Sequence, residues 1–216
     1  MYKKNLWLIV LAIVMIIAVA CGGSTQKYIL GDTLLQEDFS EEGAWETFVE
    51  GDMDLQVSDG VYRIQTDDGG YIWGLNEVEH SDVVIEVTTN QSSAYENNAY
   101  GVMCRADTNN NGDGYYFLIS GDGFYSIAKG EGDNVNPLVE WASSGAVNQG
   151  QASNTIRAVC VGNYLALYIN DDLVGEIEDS GFTSGYTGLA AAAFDGGNVD
   201  VSFDNLTISA ASLSSE

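Results

Sequence analysis

Apolar side chains recur at every second position in short runs along this chain, and this spacing most constrains its fold. Three runs show the alternation most clearly, over residues 83–88, 164–169 and 199–204. Side chains two residues apart lie on the same face of an extended strand. Each run therefore predicts a strand with one apolar face, and no segment after residue 24 shows the 3.6-residue period of an amphipathic helix.

Glycine and Asx residues separate these runs and predict tight turns. They occur at 59–60, 68–70, 122–123, 162–163, 170–171 and 195–197, and such pairs adopt the positive φ that hairpins need. About a dozen short strands at regular spacing are typical of an antiparallel sandwich. The predicted fold class is all-β, an antiparallel two-sheet jelly-roll sandwich. The alternation slips by one between Phe203 and Leu206, which predicts a bulge there.

The first 24 residues have the pattern of an export signal. Lys3 and Lys4 precede an unbroken apolar run of 15 residues, 6–20, followed by Cys21. That run is shorter than the roughly 20 residues of a membrane span, and small residues precede the cysteine, as in a secretory signal. The site resembles the lipobox of bacterial lipoproteins, and this resemblance implies lipidation of Cys21 and an extracytoplasmic domain held at the membrane. An uncleaved N-terminal anchor is the alternative.

These boundaries predict four segments. Residues 1–20 are the signal peptide, 21–33 the lipidated cysteine and tether, 34–209 the sandwich, and 210–216 a flexible tail. With Lys+Arg 7 and Asp+Glu 32, the formal net charge is −25. Binding to nucleic acid or to an anionic bilayer needs clustered Lys and Arg. We therefore expect no nucleic-acid partner, and we expect the protein to contact the membrane only through its N-terminal lipid.

Cys104 and Cys160 share the parity of apolar neighbours on two predicted strands. Outside the cell, oxidising conditions permit a disulfide between them. The alternative is a pair of reduced, buried cysteines that pack as small apolar side chains.

Catalytic residue patterns are scarce. His80 is the one histidine, and it lies in a polar stretch without the partners of a catalytic triad or a zinc site. No glycine-rich loop precedes a helix, which argues against phosphate and dinucleotide sites. The chain is therefore more readily interpreted as a binding protein than as an enzyme.

One loop carries oxygen side chains at the spacing of a calcium ligand set, namely Asp107, Asn109, Asn111 and Asp113. The twelfth position of this loop is Leu118, where an EF-hand needs glutamate, so an EF-hand is excluded. A looser structural calcium site and a solvated turn both stay open. A second candidate joins Asp38 and Asp204, if the terminal strands pair.

Five segments occur in an order that resembles the concanavalin A-like lectin/glucanase superfamily. They are LLQEDFSEEGAWETF, DGVYRIQT, the strand and hairpin NAYGVMCRAD…GDGYYFLISGDGFYSIAK over 98–129, the ribbon 154–177, and the terminal SGYTGL…FDNLTI. The likeness covers about residues 34–208, and it is greatest to the laminin-G-like and 3-keto-disaccharide-hydrolase-like branch. It implies the jelly-roll fold, whereas activity varies within the superfamily.

The resemblance and the supply of aromatic rings together predict a non-catalytic module that binds a glycan on its concave sheet. Rings stack on sugar faces and polar groups bond hydroxyls. The predicted ligand contacts are Tyr100, Arg105, Tyr116 and Trp141, although any of these rings could instead fill the core. The acidic pattern of the glucanases is missing. A hydrolase of a sugar derivative and a protein–protein adhesion domain are the alternatives.

Overall fold

The computed structural model describes residues 26–41, 43, 45–67, 69–132 and 134–214, and these residues form strands and turns without a helix. No segment of this part could cross a membrane as a long apolar helix. The predicted signal peptide and Cys21 lie outside the described residues.

Fifteen strands follow one another along these residues. They are β1 (Tyr28–Glu37), β2 (Phe48–Glu50), β3 (Met53–Ser58), β4 (Val61–Thr66), β5 (Tyr71–His80), β6 (Val83–Gln91), β7 (Asn98–Ala106), β8 (Gly114–Ile119), β9 (Phe124–Glu131), β10 (Asn134–Ser143), β11 (Ser153–Val161), β12 (Tyr164–Ile169), β13 (Asp172–Glu178), β14 (Gly185–Ala193) and β15 (Val199–Leu213).

The strands form two antiparallel sheets. The larger has nine strands, eight of them in the order β13-β12-β11-β6-β15-β4-β3-β2, while β1 pairs with β15. The smaller has six strands in the order β10-β9-β8-β7-β14-β5. Neighbours in these sheets are often distant in sequence, as expected for a jelly roll. The predicted all-β, two-sheet fold is confirmed.

The main core lies between the two sheets, and the alternating runs supply it. Val83, Ile85 and Val87 of β6 are buried there, together with Val201 and Phe203 of β15. These side chains share one parity on each strand, so each strand buries one face, as its sequence pattern predicts. The predicted slip in β15 is also confirmed, because its register with β6 shifts between Asp204 and Thr207.

The terminal segments pair with each other beyond the predicted domain bounds. β1 begins at Tyr28, which faces Leu213 near the end of β15. Most of β1 is exposed apart from Tyr28. Residues 28–33 of the predicted tether and residues 211–213 of the predicted flexible tail therefore belong to paired strands. The sandwich extends at least from 28 to 213.

A disulfide joins the two sheets. Cys104 of β7 is bonded to Cys160 of β11, 56 residues later in the chain. Both cysteines are buried in the main core. The link therefore ties a central strand of the six-stranded sheet directly to the nine-stranded sheet.

Candidate functional site

The outer face of the six-stranded sheet carries a second apolar cluster. Tyr116 and Leu118 of β8 point to this face and have no exposed surface. Aromatic side chains cover them, among which Tyr71, Trp141 and Phe194 are partly buried and pack on the cluster. The middle of this face is thus closed by aromatic rings instead of lying open to solvent.

These rings form a continuous row between the two edges of the sheet. The Trp141 ring on edge strand β10 lies 6.3 Å from that of Phe194, centroid to centroid. The Phe194 ring lies 6.1 Å from that of Tyr71 on the opposite edge strand, β5. A flat six-stranded sheet would hold its edge strands about 24 Å apart. Two such short steps indicate that the sheet curls and that this face is concave.

A groove of about 550 Å³ opens on one side of the aromatic row. We call it the Trp141 groove. Its lining includes three aromatic and three polar residues: Phe124, Trp141, Phe194, Asn97, Asp122 and Asp195. They come from the β6–β7, β8–β9 and β14–β15 connections and from strands β9 and β10, so the groove lies where several loops meet at one end of the sheet.

The polar groups of the Trp141 groove are held by neighbouring side chains. The Ser120 hydroxyl donates to Oδ1 of Asp122 at 2.5 Å, and Nδ2 of Asn97 donates to Oδ2 of Asp195 at 3.0 Å. Each carboxylate keeps further lone pairs, because a carboxylate can accept about four hydrogen bonds. Phe124 is 38% exposed. The groove therefore offers open aromatic surface beside fixed hydrogen-bond acceptors.

A second groove, of about 460 Å³, opens on the other side of the row and is called the Trp73 groove. It lies between edge strand β5 of the six-stranded sheet and β2 and β3 of the nine-stranded sheet. Its lining includes Glu46, Phe48, Met53, Tyr71, Trp73 and Asn110. Tyr71 is shared between this lining and the aromatic row, so the two grooves flank one continuous apolar surface.

The structure brings only Trp141, of the four predicted ligand contacts, to a groove. Tyr100 has no exposed surface and belongs to the core between the sheets. Tyr116 lies on the predicted face, but Tyr71 packs against it at 5.6 Å and its hydroxyl donates to the carbonyl of Gly112. The predictions for both tyrosines are wrong, because a fully buried ring cannot stack on a ligand.

Arg105 is also buried, and its role is structural. Its guanidinium donates to the carbonyls of Ser81, Gly162 and Phe182 and to the carboxylate of Asp82, over 2.8–3.0 Å. Its side chain is 1% exposed. The predicted contact with a ligand is wrong, because the buried guanidinium directs these donors to loop residues of the protein itself.

The predicted calcium loop folds as an Asx-rich turn. Asp107 Oδ1 accepts from the backbone of Asn109 at 2.7 Å, and Asn111 Oδ1 accepts from the backbone of Asp113 at 3.0 Å. Asp113 Oδ1 accepts from the backbone of Gly132. These bonds explain why the turn needs such residues. Calcium binding by this loop stays a prediction.

The terminal strands of the second predicted metal pair do pair, with Glu37 opposite Leu206; Asp38 directly follows β1 and Asp204 lies on β15. Hydrogen bonds from the side chain and the backbone of Ser40 lower the pKa of Asp38, and Asp204 accepts from the backbone of Asn205. Across the described residues, no three His, Cys, Asp or Glu side chains are grouped so that they could hold a metal ion.

The residues that the sequence did not reveal are Phe194, Asp195, Asp122 and Phe124. They form two pairs at two turns, Asp122 and Phe124 between β8 and β9 and Phe194 and Asp195 between β14 and β15, and no spacing in the sequence relates one pair to the other. The one available signal is that each belongs to a predicted Asx-Gly turn or is its direct neighbour.

Comparisons with known proteins show the fold. No sequence-family profile and no curated protein sequence matches this chain. Among solved structures, the carbohydrate-binding module CBM66 from Bacillus subtilis matches with a TM-score of 0.62 at 20% identity, covering 78% of this chain and 97% of the module. A Bacillus subtilis protein of unknown function with a galectin-like fold matches at 0.64 and 11%, covering 85% and 98%. Bacillus licheniformis β-glucanase matches at 0.60 and 10%, covering 83% and 98%.

Proposed function

We propose that this chain, which has the concanavalin A-like jelly-roll fold, is a carbohydrate-binding module that holds a glycan in the Trp141 groove without cleaving it. The observation that carries the proposal is the groove itself, where the half-buried Trp141 and the exposed Phe124 face fixed carboxylate and amide groups. Aromatic faces stack on the apolar faces of sugars, and the polar groups bind hydroxyls.

The charges favour an uncharged glycan. Every Lys and Arg among the described residues forms an ion pair with a carboxylate, and these are Lys27, Arg63, Arg105, Lys129 and Arg157. In the Trp141 groove the charged residues are Asp122 and Asp195. A uronic acid or sulfated sugar would meet these carboxylates without a free cation beside it, which costs binding energy.

The shared fold with a carbohydrate-binding module and a β-glucanase supports this proposal. A lichenase, a β-1,3-1,4-glucanase from a mouse hindgut metagenome, also matches, with a TM-score of 0.61 at 12% identity. Mixed-linkage β-1,3-1,4-glucan is therefore a reasonable first probe, followed by neutral galactans, fructans and mannans.

Calorimetric titration of these polysaccharides into the full chain tests the proposal. We expect saturable binding of at least one, and we expect Trp141→Ala to weaken it by about tenfold or more, the effect of losing about 1.4 kcal/mol. Leu173→Ala, which removes a 41% exposed side chain from the other sheet, is the matched control and should bind normally. If no neutral polysaccharide binds, or if both variants bind like the parent, the proposal is wrong.

A hydrolase acting on a sugar derivative is the second candidate, because two carboxylates, Asp122 and Asp195, line the same groove. Glycosidases place two such groups on opposite sides of the bond that is cleaved. Incubation of the bound polysaccharide with the chain, followed by an assay for new reducing ends, separates the two functions. Reducing ends that appear with the parent and disappear with Asp122→Asn would establish hydrolysis.

We also propose that the module is exported and lipidated at Cys21, which would hold it at the outer side of a membrane. Residues 1–21 support this, and so does the disulfide between Cys104 and Cys160, since such bonds persist in oxidising compartments. Detergent phase partitioning of cell extracts tests it. The parent should enter the detergent phase and Cys21→Ser should not, whereas equal partitioning of the two would contradict lipidation.

A further inference from the structure

The aromatic row does not end at the Trp141 groove. It runs from Trp141 through Phe194 to Tyr71, and Trp73 follows two residues later on β5. Residues two apart on a strand point to the same face about 7 Å from each other, and both rings pack on the outer apolar cluster. The row therefore joins the Trp141 groove to the Trp73 groove over an unbroken apolar surface.

Trp73 is fixed in place by a chain of hydrogen bonds. Its Nε1 donates to Oδ1 of Asn110 at 2.6 Å, and Nδ2 of Asn110 donates to Oε1 of Glu46 at 2.8 Å. The other oxygen of Glu46 accepts from the backbone of Leu75 at 3.1 Å. A Cβ on Gly112 would lie 2.8 Å from the indole ring, so the bare backbone there packs directly on Trp73. A ring ordered in advance loses little entropy when a ligand stacks on it.

The opposite wall of the Trp73 groove exposes a second ring. Phe48 of edge strand β2 is 39% exposed. It lines the groove together with Met53 and Trp73. Packing within the core does not require Phe48 to be exposed at this groove, so its position there points to a ligand. The groove is thus lined by one aromatic ring from each sheet, and each ring offers a flat apolar face to a ligand.

We propose that the Trp73 groove is a second subsite, so that the protein binds an internal stretch of an uncharged glycan chain with contacts in both grooves. This inference rests on the proposed function. The path between the grooves passes over four rings in turn, whereas one sugar unit covers one ring face, so the ligand class is an oligosaccharide of several units. Glu46 and the carboxylates of the Trp141 groove make both ends of the path unsuitable for acidic sugars.

Chain-length dependence tests the second subsite. The probes are the disaccharide and hexasaccharide of whichever neutral polysaccharide binds, with β-1,3-1,4-glucan as the first source. The hexasaccharide should bind the parent about tenfold or more tightly than the disaccharide. Phe48→Ala should weaken hexasaccharide binding by about tenfold and leave disaccharide binding unchanged. Trp141→Ala should weaken the binding of both.

Val49→Ala is the matched control. Val49 is the next residue on β2 and is 69% exposed, but its side chain points to the opposite face and it should bind both probes normally. Trp73→Ala provides a second test, provided that its circular dichroism matches the parent; if it does not fold, Phe48→Ala decides, because its exposed side chain adds little to the core.

The outcomes separate the two proposals. If Trp141→Ala weakens binding while Phe48→Ala leaves the hexasaccharide unaffected, the second subsite is wrong and the carbohydrate-binding function stands. If neither probe binds the parent, both proposals fail. If the disaccharide binds as tightly as the hexasaccharide, the ligand occupies a single groove and the second subsite is again wrong.

Discussion

At the scale of single residues, Arg105 shows how one buried cation can organise loops. Its backbone has a positive φ of 52°, which is uncommon for a residue with a side chain. That conformation occurs at the end of β7, where the guanidinium reaches carbonyls of three connections. A buried charge is tolerated when its hydrogen bonds are satisfied, and here five planar donors match several fixed acceptors.

Replacement of Arg105 should destabilise the fold strongly. We expect Arg105→Ala to lower the free energy of unfolding in urea by about 3 kcal/mol, because the buried side chain leaves a void and the Asp82 carboxylate and three loop carbonyls lose their donor. Arg63→Ala, at an ion pair with Asp200 whose arginine side chain is 40% exposed, should cost about 1 kcal/mol or less. Equal losses for the two variants would contradict a structural role that depends on burial.

His80 gives the chain a dependence on pH near neutrality. Burial lowers the pKa of His80 below its usual 6.5, and its Nε2 has no hydrogen-bond partner within the described part of the chain. The unfolded chain therefore binds the proton more readily than the folded chain. The contribution of neutral His80 to the free energy of unfolding is fully present above about pH 6.5 and is lost as the pH falls below that value.

We expect the free energy of unfolding, measured in urea at pH 7.5, 6.5 and 5.5, to decrease toward the lowest pH. His80→Gln removes the titrating group and should reduce this decrease. A variant whose pH dependence is the same as that of the parent would show that other groups cause it.

At the scale of elements, the two sheets are held by both apolar packing and a covalent bond. The disulfide between β7 and β11 closes a loop of 56 residues. Such a cross-link restricts the unfolded chain, and for a loop of this length the entropy removed is worth about 4 kcal/mol. The effect grows with the sequence separation of the two cysteines, because closing a longer loop removes more entropy from the unfolded chain.

The double variant Cys104→Ala/Cys160→Ala should keep the β-sheet circular dichroism spectrum and lose about 4 kcal/mol of unfolding free energy in urea. The parent unfolded under reducing conditions should lose a similar amount. A loss well below this value would mean that the reduced chain stays compact when unfolded.

At the scale of the whole molecule, repulsion between carboxylates is the main electrostatic effect on stability. With a net charge of −25 and all described basic side chains in ion pairs, most carboxylates repel one another without a compensating cation. Partly exposed ion pairs contribute little, so screening should remove more repulsion than attraction.

We therefore expect Tm to rise when NaCl is increased from 20 mM to 500 mM at pH 7. A gain of about 1 kcal/mol would raise Tm by about 2–4 °C for a chain of this size. The increase should shrink near pH 4.1, the isoelectric point, because the net charge is then small. A Tm that falls with salt at pH 7 would show that ion pairs outweigh the repulsion.

The fold was predictable because its signal is local. Alternation in β6, β12 and β15 specifies which side chains face the core, and the slip after Phe203 marks the bulge. The ends of the domain were not predictable in the same way. Strand β1 is mostly exposed, so it has no alternating pattern, and it is ordered by ladder hydrogen bonds to β15 that the sequence does not display.

The candidate site was predictable only in part. The parity of Tyr115 and Tyr116 is visible in the sequence, and it places them on opposite faces of β8. Parity does not show whether other side chains cover a ring on the outer face. For Tyr116, the Tyr71 ring covers it and the carbonyl of Gly112 accepts a hydrogen bond from its hydroxyl. Tyr116 therefore lies on the predicted face but makes no ligand contact, whereas Trp141, on an edge strand, has fewer neighbours to cover it.

The sequence by itself determined the strands, their inward faces and the turns between them, because each depends on residues close together in the chain. It also determined the net negative charge, which depends on composition alone. The tertiary structure alone decided which rings reach solvent, which loops enclose the two grooves and why Arg105 is buried. Those properties depend on the curl of the smaller sheet and on contacts between segments as distant as Trp73 and Asn110. The alternation of apolar residues does not identify such contacts, because the same pattern along one strand is compatible with many different neighbouring segments.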